Sequence, residues 1–374
     1  MALYKTLVKK VSISPEKKTK QKDYLPGGQL PIIDQGQQLI GGYSDNLDMQ
    51  LSCNLPVIVF GDHTRAVKYV DFPFGAGADG IKVLEPAEGI YPKFLYYATQ
   101  YLVLRLEDRG YARHYQYIEK KELDIPSVPE QKRIVARIEE LFSELDNGVE
   151  TLQKTKQQLA VYRQAVLCDA FSGLDTFTSL QAISERIFDG PFGSNLKTSD
   201  YTSSGIRVVR LENLKDGWFD DSKQSFVTKE KYDTITGHTV YPTDLIMSTF
   251  IADSIKVCQI PQYVGFAVNK ADCVGIRLKS QYLQRYVMYY LMTKIAYNSL
   301  VHEVHGATRP RVNTKQIKGI PIPVCDFSCQ RQIIATIESR LSVCDTIEKT
   351  VDITLQQAEA MRQSILKQAF EGRL

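Results

Sequence analysis

The feature that most constrains this 374-residue chain is an internal duplication. The segment from Pro129 to Gly173 recurs, at a constant offset of 199 residues, in the segment that ends at Gly372. From Gln131 to Gly173 the ungapped alignment holds 17 identities in 43 positions, among them Gln131/Gln330, Ile138/Ile337, Asp146/Asp345, Arg163-Gln164/Arg362-Gln363 and Ala170-Phe171/Ala369-Phe370. Each copy carries a heptad stripe. Ile138, Leu145, Leu152, Leu159 and Val166 fall at strict sevens, with Ile134, Leu141 and Tyr162 in the complementary register. Ile337, Cys344, Val351, Ala358 and Ile365 occupy the equivalent places in the second copy, with Ile333, Ile347 and Met361 between them. Ser127 and Glu130 have capping-box spacing, Pro129 suits a first turn, and Gly173 and Gly372 stand where a helix should stop. A helix of this length extends about 60 Å at 1.5 Å per residue. It cannot bury its apolar stripe within one small domain, and the matching stripe is the other copy. Gly148, Thr155, Thr354 and Ala358 at inner positions predict a thin or irregular seam.

Each copy follows a short Pro-containing lead-in, IPSVP at 125–129 and IPIP at 320–323, and a longer, dissimilar region. The dissimilar regions read as mixed α/β. Strand-like runs stand at 30–35, 56–61 and 67–72, then at 205–213, 244–249 and 274–279, separated by Gly, Asp and Asn turns. Each region ends in an aromatic stretch with helical spacing, at 94–106 and 286–301, whose tyrosines are read as core rather than as a base-stacking platform. Between that stretch and the lead-in lies a basic loop, RGYARHYQY at 109–117 and HGATRPRVNTKQ at 305–316. Arginines interleaved with Gly, His, Asn and Tyr suit a solvated loop or a surface that forks onto phosphates and guanine edges.

Composition narrows the class. The net charge is only +3, but residues 1–22 carry seven lysines against the single acid Glu16. No apolar run approaches the 18 to 20 residues, roughly, that span a bilayer, and Lys5, Lys9 and Lys10 interrupt the first apolar stretch, so neither an anchor nor a signal peptide is expected. The seven cysteines are too sparse for a disulfide framework; reduced thiols and a cytoplasmic location are expected.

Catalytic signatures are missing from the sequence. GADGIK at 77–82 is too short for a phosphate-binding loop, and His302-Glu303-Val304-His305 falls one residue short of metalloprotease spacing. Cys325 and Cys329 are spaced more widely than a zinc knuckle, so no metal is expected. GDHTR at 61–65 lacks a second carboxylate or nucleophile and reads as a binding loop.

The helical segments, the first opening with EQKRIVARIE and the second with CQRQIIATIE, and both closing with AF-x-G, resemble those of the DNA-specificity subunits of type I restriction-modification systems. The strings at 31–45, 57–65, 188–196 and 206–217 are similar to strings common in the recognition regions of that family, and the resemblance covers essentially the whole chain. It departs at the start, where the first recognition region begins almost at Met1.

The resemblance implies two α/β (α+β) target-recognition domains, at 1–124 and 175–319, and two helical regions, at 125–174 and 320–374. The helices would form an antiparallel coiled-coil spacer with internal pseudo-twofold symmetry, with Ile138, Leu145, Leu152, Leu159, Val166, Ile337, Val351 and Ile365 along its seam. It also implies a non-catalytic protein, without a cofactor of its own, that reads double-stranded DNA. Two modification subunits would bring S-adenosylmethionine chemistry, and motor-nuclease restriction subunits would bring ATP hydrolysis and cleavage. The expected DNA contacts in the first domain are Lys18, Lys20 and Lys22, with Lys17, on phosphates, and Gln35, Gln37, His63, Thr64, Arg65, Arg109, Arg113 and His114. In the second they are Ser194, Asn195, Lys197, Arg210, Asn213, Arg309, Arg311 and Asn313. An orphan DNA-binding module and a coiled-coil scaffold without DNA are the alternatives.

Overall fold

A computed structural model describes the whole chain except residues 78–79, 108–109, 111 and 302–310. The chain divides into two compact units, Met1–Gln153 with Asp352–Leu374, and Lys154–Val351. The two long helices, Val128–Ala170 and Phe327–Phe370, each contribute to both units.

The first unit has two four-stranded sheets. One is antiparallel, in the order Val8–Val11, Ile81–Pro86, Val57–Gly61, Val67–Val70. The other is mixed, in the order Lys18–Thr19, Gly75–Gly77, Leu30–Ile33, Gly42–Ser44. Val57–Gly61 is buried at every position, which is why it reads as an unbroken apolar run rather than an alternation. The helix Pro92–Leu104 opens with proline at its first turn. It lays Leu95, Ala98 and Leu102 against Ile58, Phe60 and Leu84 of the antiparallel sheet. Phe94 and Tyr97, on its other side, pack with Val135, Ile138 and Phe142 of the first long helix and Ile365, Leu366 and Ala369 of the second.

The second unit repeats this plan. Its antiparallel sheet runs Ser184–Phe188, Cys273–Leu278, Leu245–Ser248, Val257–Gln259. Its mixed sheet has five strands, Tyr201–Thr202, Phe226–Val227, Ile206–Val209, Ala267–Asn269 and Thr239–Val240, with Ile206–Val209 parallel to Ala267–Asn269. All six strand-like runs of the sequence therefore contain strands. The aromatic stretch at 286–301 differs from expectation, because it is two helices, Gln284–Leu291 and Lys294–Val301. The break is made by Thr293, whose hydroxyl donates to the Tyr290 carbonyl (2.7 Å) and accepts from the Ala296 amide (3.1 Å). That hydroxyl ends one helix and caps the next, so the apolar period continues through a stop.

Within each unit the long helices run antiparallel, since partner numbers fall as residue numbers rise. Arg362 binds Asp146 in the first unit. In the second, Arg163 meets Asp345 at 2.7 Å and Glu348 at 2.8 Å, and Asp169 meets Arg340 at 3.0 Å. Such exposed pairs add little stability but fix register. Ile138, Leu159, Val166, Ile337, Cys344, Val351, Ala358 and Ile365 are buried, whereas Leu145, Leu152, Thr155 and Thr354 are half-buried. Tyr162, Ile347 and Met361 of the complementary register are exposed, whereas Ile134, Leu141 and Ile333 of the same register are half-buried against the cores, so the seam is irregular along its length. The AF-x-G phenylalanines close the helices onto aromatic rings. Phe171 lies 5.3 Å from Tyr286 and 5.2 Å from Tyr290, and Phe370 stacks on Tyr101 at 5.3 Å.

The capping box at the first helix is not formed. Glu130 turns to Arg133 with two bonds of 2.7 and 2.9 Å, and the Ser127 carbonyl accepts the Gln131 amide (2.9 Å). A different residue anchors both helix starts. Gln131 is fully buried, accepts from the Tyr91 amide (2.8 Å) and donates to the carbonyls of Gly89 (3.0 Å) and Pro126 (2.9 Å). Gln330 does the same with Leu283 (2.8 Å), Gln281 (3.1 Å) and Cys325 (3.1 Å). All seven cysteines are free thiols.

Candidate nucleic-acid interface

In the first unit the basic segment near the amino terminus folds around a shallow recess of about 300 Å³ lined by Lys18, Lys20, Lys22, Ser44, Asn46 and Asp23. Thr19 is buried beside it, and its hydroxyl has no hydrogen-bond partner among the described residues. Lys17 is engaged by the Asp48 carbonyl.

The loop after the central strand Val57–Gly61 is a tight turn. The Arg65 amide donates to the Gly61 carbonyl (2.8 Å), and Arg65 itself has φ of 62°, a left-handed conformation uncommon outside glycine. The Thr64 hydroxyl donates to the Gln35 carbonyl, so the turns carrying Gln35 and His63-Thr64-Arg65 are joined. Gln35, His63 and Arg65 are half-buried, and Gln37 and Thr64 are exposed. Asp62 serves the fold. Its carboxylate accepts from the Tyr115 amide (2.9 Å) and pairs with Lys82 (3.4 Å), and its carbonyl accepts from the His114 amide (2.8 Å). His114 is buried, and Arg113 beside it is exposed. Arg109 lies outside the described residues. Behind this face burial pulls the Lys68 ammonium below the ordinary lysine range, partly offset by Asp34, whose carbonyl accepts from it at 2.8 Å.

The second unit carries a corresponding site. The Val312 amide donates to the Thr249 carbonyl (2.9 Å) just beyond the central strand Leu245–Ser248, as the His114 amide does to Asp62 just beyond Val57–Gly61. Arg113 and Arg311 therefore occupy matched positions, each immediately before the bonded amide. Arg311 pairs with Asp272 and lies over the rings of Phe250 (5.6 Å) and Phe192 (6.0 Å). Ser194, Asn195 and Lys197 are exposed on the loop that follows Phe192. Arg210 lies over Tyr201 at 5.3 Å and donates to the Ser225 hydroxyl at 3.2 Å. Lys270, next to it in charge, is drawn below its usual range by burial and then by Arg210.

Besides buried His114 and the Thr64 hydroxyl, two more of the expected contacts, Asn213 and Asn313, have their polar groups engaged inside the protein. Asn213 is buried, donates to the carbonyls of Asp220 and Lys223 (both 2.8 Å) and accepts from the Arg210 amide (3.0 Å), so it shapes the loop that carries Arg210. Asn313 caps the helix Thr314–Gly319 through the Gln316 amide (3.0 Å). Arg309 lies outside the described residues. Nothing in the sequence singles out Asp272 or Phe250, and Phe192 shows there only as part of the string at 188–196. They stand 39, 61 and 119 positions from Arg311, and no local pattern ties them to it.

Residues 196–357 match the profile of the Type I restriction modification DNA specificity domain. The chain is 24% identical over 279 residues to the Type I restriction enzyme EcoBI specificity subunit of Escherichia coli, covering 67% of this chain and 58% of that protein. It is 23% identical over 364 residues to the EcoDI specificity subunit of the same species, covering 85% and 78%. The fold matches a chain of a solved type I R-M system with a TM-score of 0.69 at 14% identity, covering 100% of this chain and 97% of that one. It also matches the HsdS subunit from Thermoanaerobacter tengcongensis, with a TM-score of 0.51 at 15% identity, covering 100% and 96%. Two α/β units, each with a share of both long helices, are the fold this chain has in common with those solved structures. Over 67% and 85% of its length, respectively, this chain is similar to those two type I restriction enzyme specificity subunits.

Proposed function

We propose that this protein is the DNA-specificity subunit of a type I restriction-modification complex. Each recognition region, 1–124 and 175–319, reads one half of a bipartite site, and the helical regions 125–174 and 320–374 set the separation of the half-sites. The observation that carries this reading is the matched placement of Arg113 and Arg311 on units of like topology with unlike loops. Like topology presents both arginines in the same way, and unlike loops let the halves differ in sequence. Lys18, Lys20 and Lys22 take phosphates, while Gln35, Gln37, Thr64, Arg65, Ser194, Asn195 and Lys197 serve as base or backbone contacts.

The chain itself carries no catalysis. Two modification subunits supply methyl transfer and restriction subunits supply the motor and nuclease, in the cytoplasm. No helix among the described residues is long and apolar enough to cross a membrane. A band-shift and footprint with and without a modification subunit tests the assignment. The expected result is a bipartite footprint that needs this chain; DNA binding by the modification subunit alone with the same footprint would overturn it.

A further inference from the structure

We infer that Asp272 is the positioning residue for a base-reading Arg311 in the second unit, and that the Arg311–Asp272 pair reads a base edge rather than a phosphate. The inference rests on the DNA-recognition reading and deepens it.

Arg311 is pinned at both ends. Its backbone pairs with Phe250 in an antiparallel bridge, and the next amide is bonded to the Thr249 carbonyl (2.9 Å). Its guanidinium is bonded to Asp272 and flanked by the rings of Phe192 and Phe250. Asp272 is held more firmly still. Its carboxylate accepts from the Thr249 hydroxyl (3.2 Å), its amide donates to the Asp189 carboxylate (3.1 Å), and its carbonyl accepts from the Thr249 amide (3.0 Å). It adopts φ of 72°, and such backbone strain in a non-glycine residue persists where surroundings fix it. The Arg311 side chain is nonetheless 47% exposed, and a guanidinium with five donors that spends one on Asp272 keeps an edge for a ligand. Phe192, itself 50% exposed, borders that edge with an apolar surface suited to a base or a thymine methyl.

Charge decides between base and phosphate. A phosphate contact draws its affinity from net positive charge and counterion release. Beside Asp272 that charge is neutralised, while the direction of the guanidinium donors is kept. A fixed, neutralised fork gains little from phosphate but discriminates hydrogen-bond patterns, above all the paired acceptors of guanine.

The test is a selection from random duplexes by the complex of this chain with its modification subunit, followed by titrations on the selected site, its single-base variants and unrelated DNA at two salt concentrations. Arg311→Ala is expected to reduce preference at one base pair of one half-site about tenfold, leaving the slope of log affinity against log salt within about 0.3 of wild type. Asp272→Asn is expected to lose preference at that same base pair while binding unrelated DNA more tightly, with the slope steeper by up to about one unit, because it frees a positive charge. A merely structural role for Asp272 would weaken both kinds of binding together, and that result would overturn the assignment. So would an Arg311→Ala that weakens all duplexes evenly and flattens the slope by about one unit, the mark of a phosphate contact. A wild type that selects no sequence overturns the DNA-recognition reading itself, and this assignment with it.

Discussion

Replacing Gln330 by alanine should destabilise the second unit selectively. The side chain is 1% exposed and makes three hydrogen bonds to the backbone, with Leu283, Gln281 and Cys325 at 2.8 to 3.1 Å. Each bond contributes about 0.5–1.5 kcal/mol net, and the three backbone groups lose partners in a site closed to water. Alanine therefore costs about 2–4 kcal/mol. With a urea dependence of about 2–3 kcal/mol per molar for a unit of this size, the midpoint falls by about 1 M. Trp218 is the sole tryptophan of the chain and lies in this unit, so its fluorescence follows that transition. Gln131→Ala removes the equivalent bonds from the first unit, and should displace the Trp218 transition less than Gln330→Ala does. Gln330→Glu keeps an acceptor but loses both donors and buries a charge, so it should cost at least as much as alanine. A Gln330→Ala midpoint within about 0.2 M of wild type would refute the clamp.

Leu159→Asp buries an unpaired carboxylate in the helix seam and should cost several kcal/mol, with loss of co-purification with the modification subunit, whereas Tyr162→Asp, on an exposed position three residues away, should stay within about 0.5 kcal/mol in stability. Half-buried Leu145 and Leu152 should fall between them under the same substitution; thermal melts followed by helical ellipticity check all four. Buried Tyr4, Tyr286 and Tyr290 are held protonated above the ordinary tyrosine value of 10, chiefly by burial, with Tyr290 pushed up to about 12. The unfolded chain ionises these groups first and so binds fewer protons, and stability should fall as pH rises through 10, by up to about 1.4 kcal/mol per pH unit for each tyrosine. Urea midpoints that stay level between about pH 8 and 11 would contradict this. Lys20→Ala and Lys22→Ala should each weaken binding of all duplexes alike and flatten the salt slope by about one unit, with base preferences intact.

The long helices were legible because duplication and heptad spacing are linear signals, and a 43-residue helix must show its stripe in order. The strands were legible because Val57–Gly61 and Leu245–Ser248 are buried at every position, which makes all of the first and all but the terminal Ser248 of the second non-polar. What escaped was carried by single polar atoms. Identity at Gln131 and Gln330 stood out in the repeat, but their partners are backbone groups of the dissimilar regions, which no side chain announces. Glu130 had the spacing of a cap and turned to Arg133 instead, three residues on along the same helix. At the candidate interface, Asn213 and Asn313 show the ambiguity of amides in turns: the chemistry that reads a base also staples a loop or caps a helix. Arg311 was legible as an exposed cation, whereas Asp272 became visible only once folding brought it beneath that side chain.

On the proposed function, each unit specifies its own half of a DNA site. Mapping methylated adenines in a host that carries this chain with its modification subunit, before and after residues 176–319 are exchanged for those of a relative, tests it most directly. The expected result is a bipartite methylated sequence in which one half changes while the other half and the spacer length between them persist. A change in both halves, or an altered spacer with the long helices intact, would contradict it.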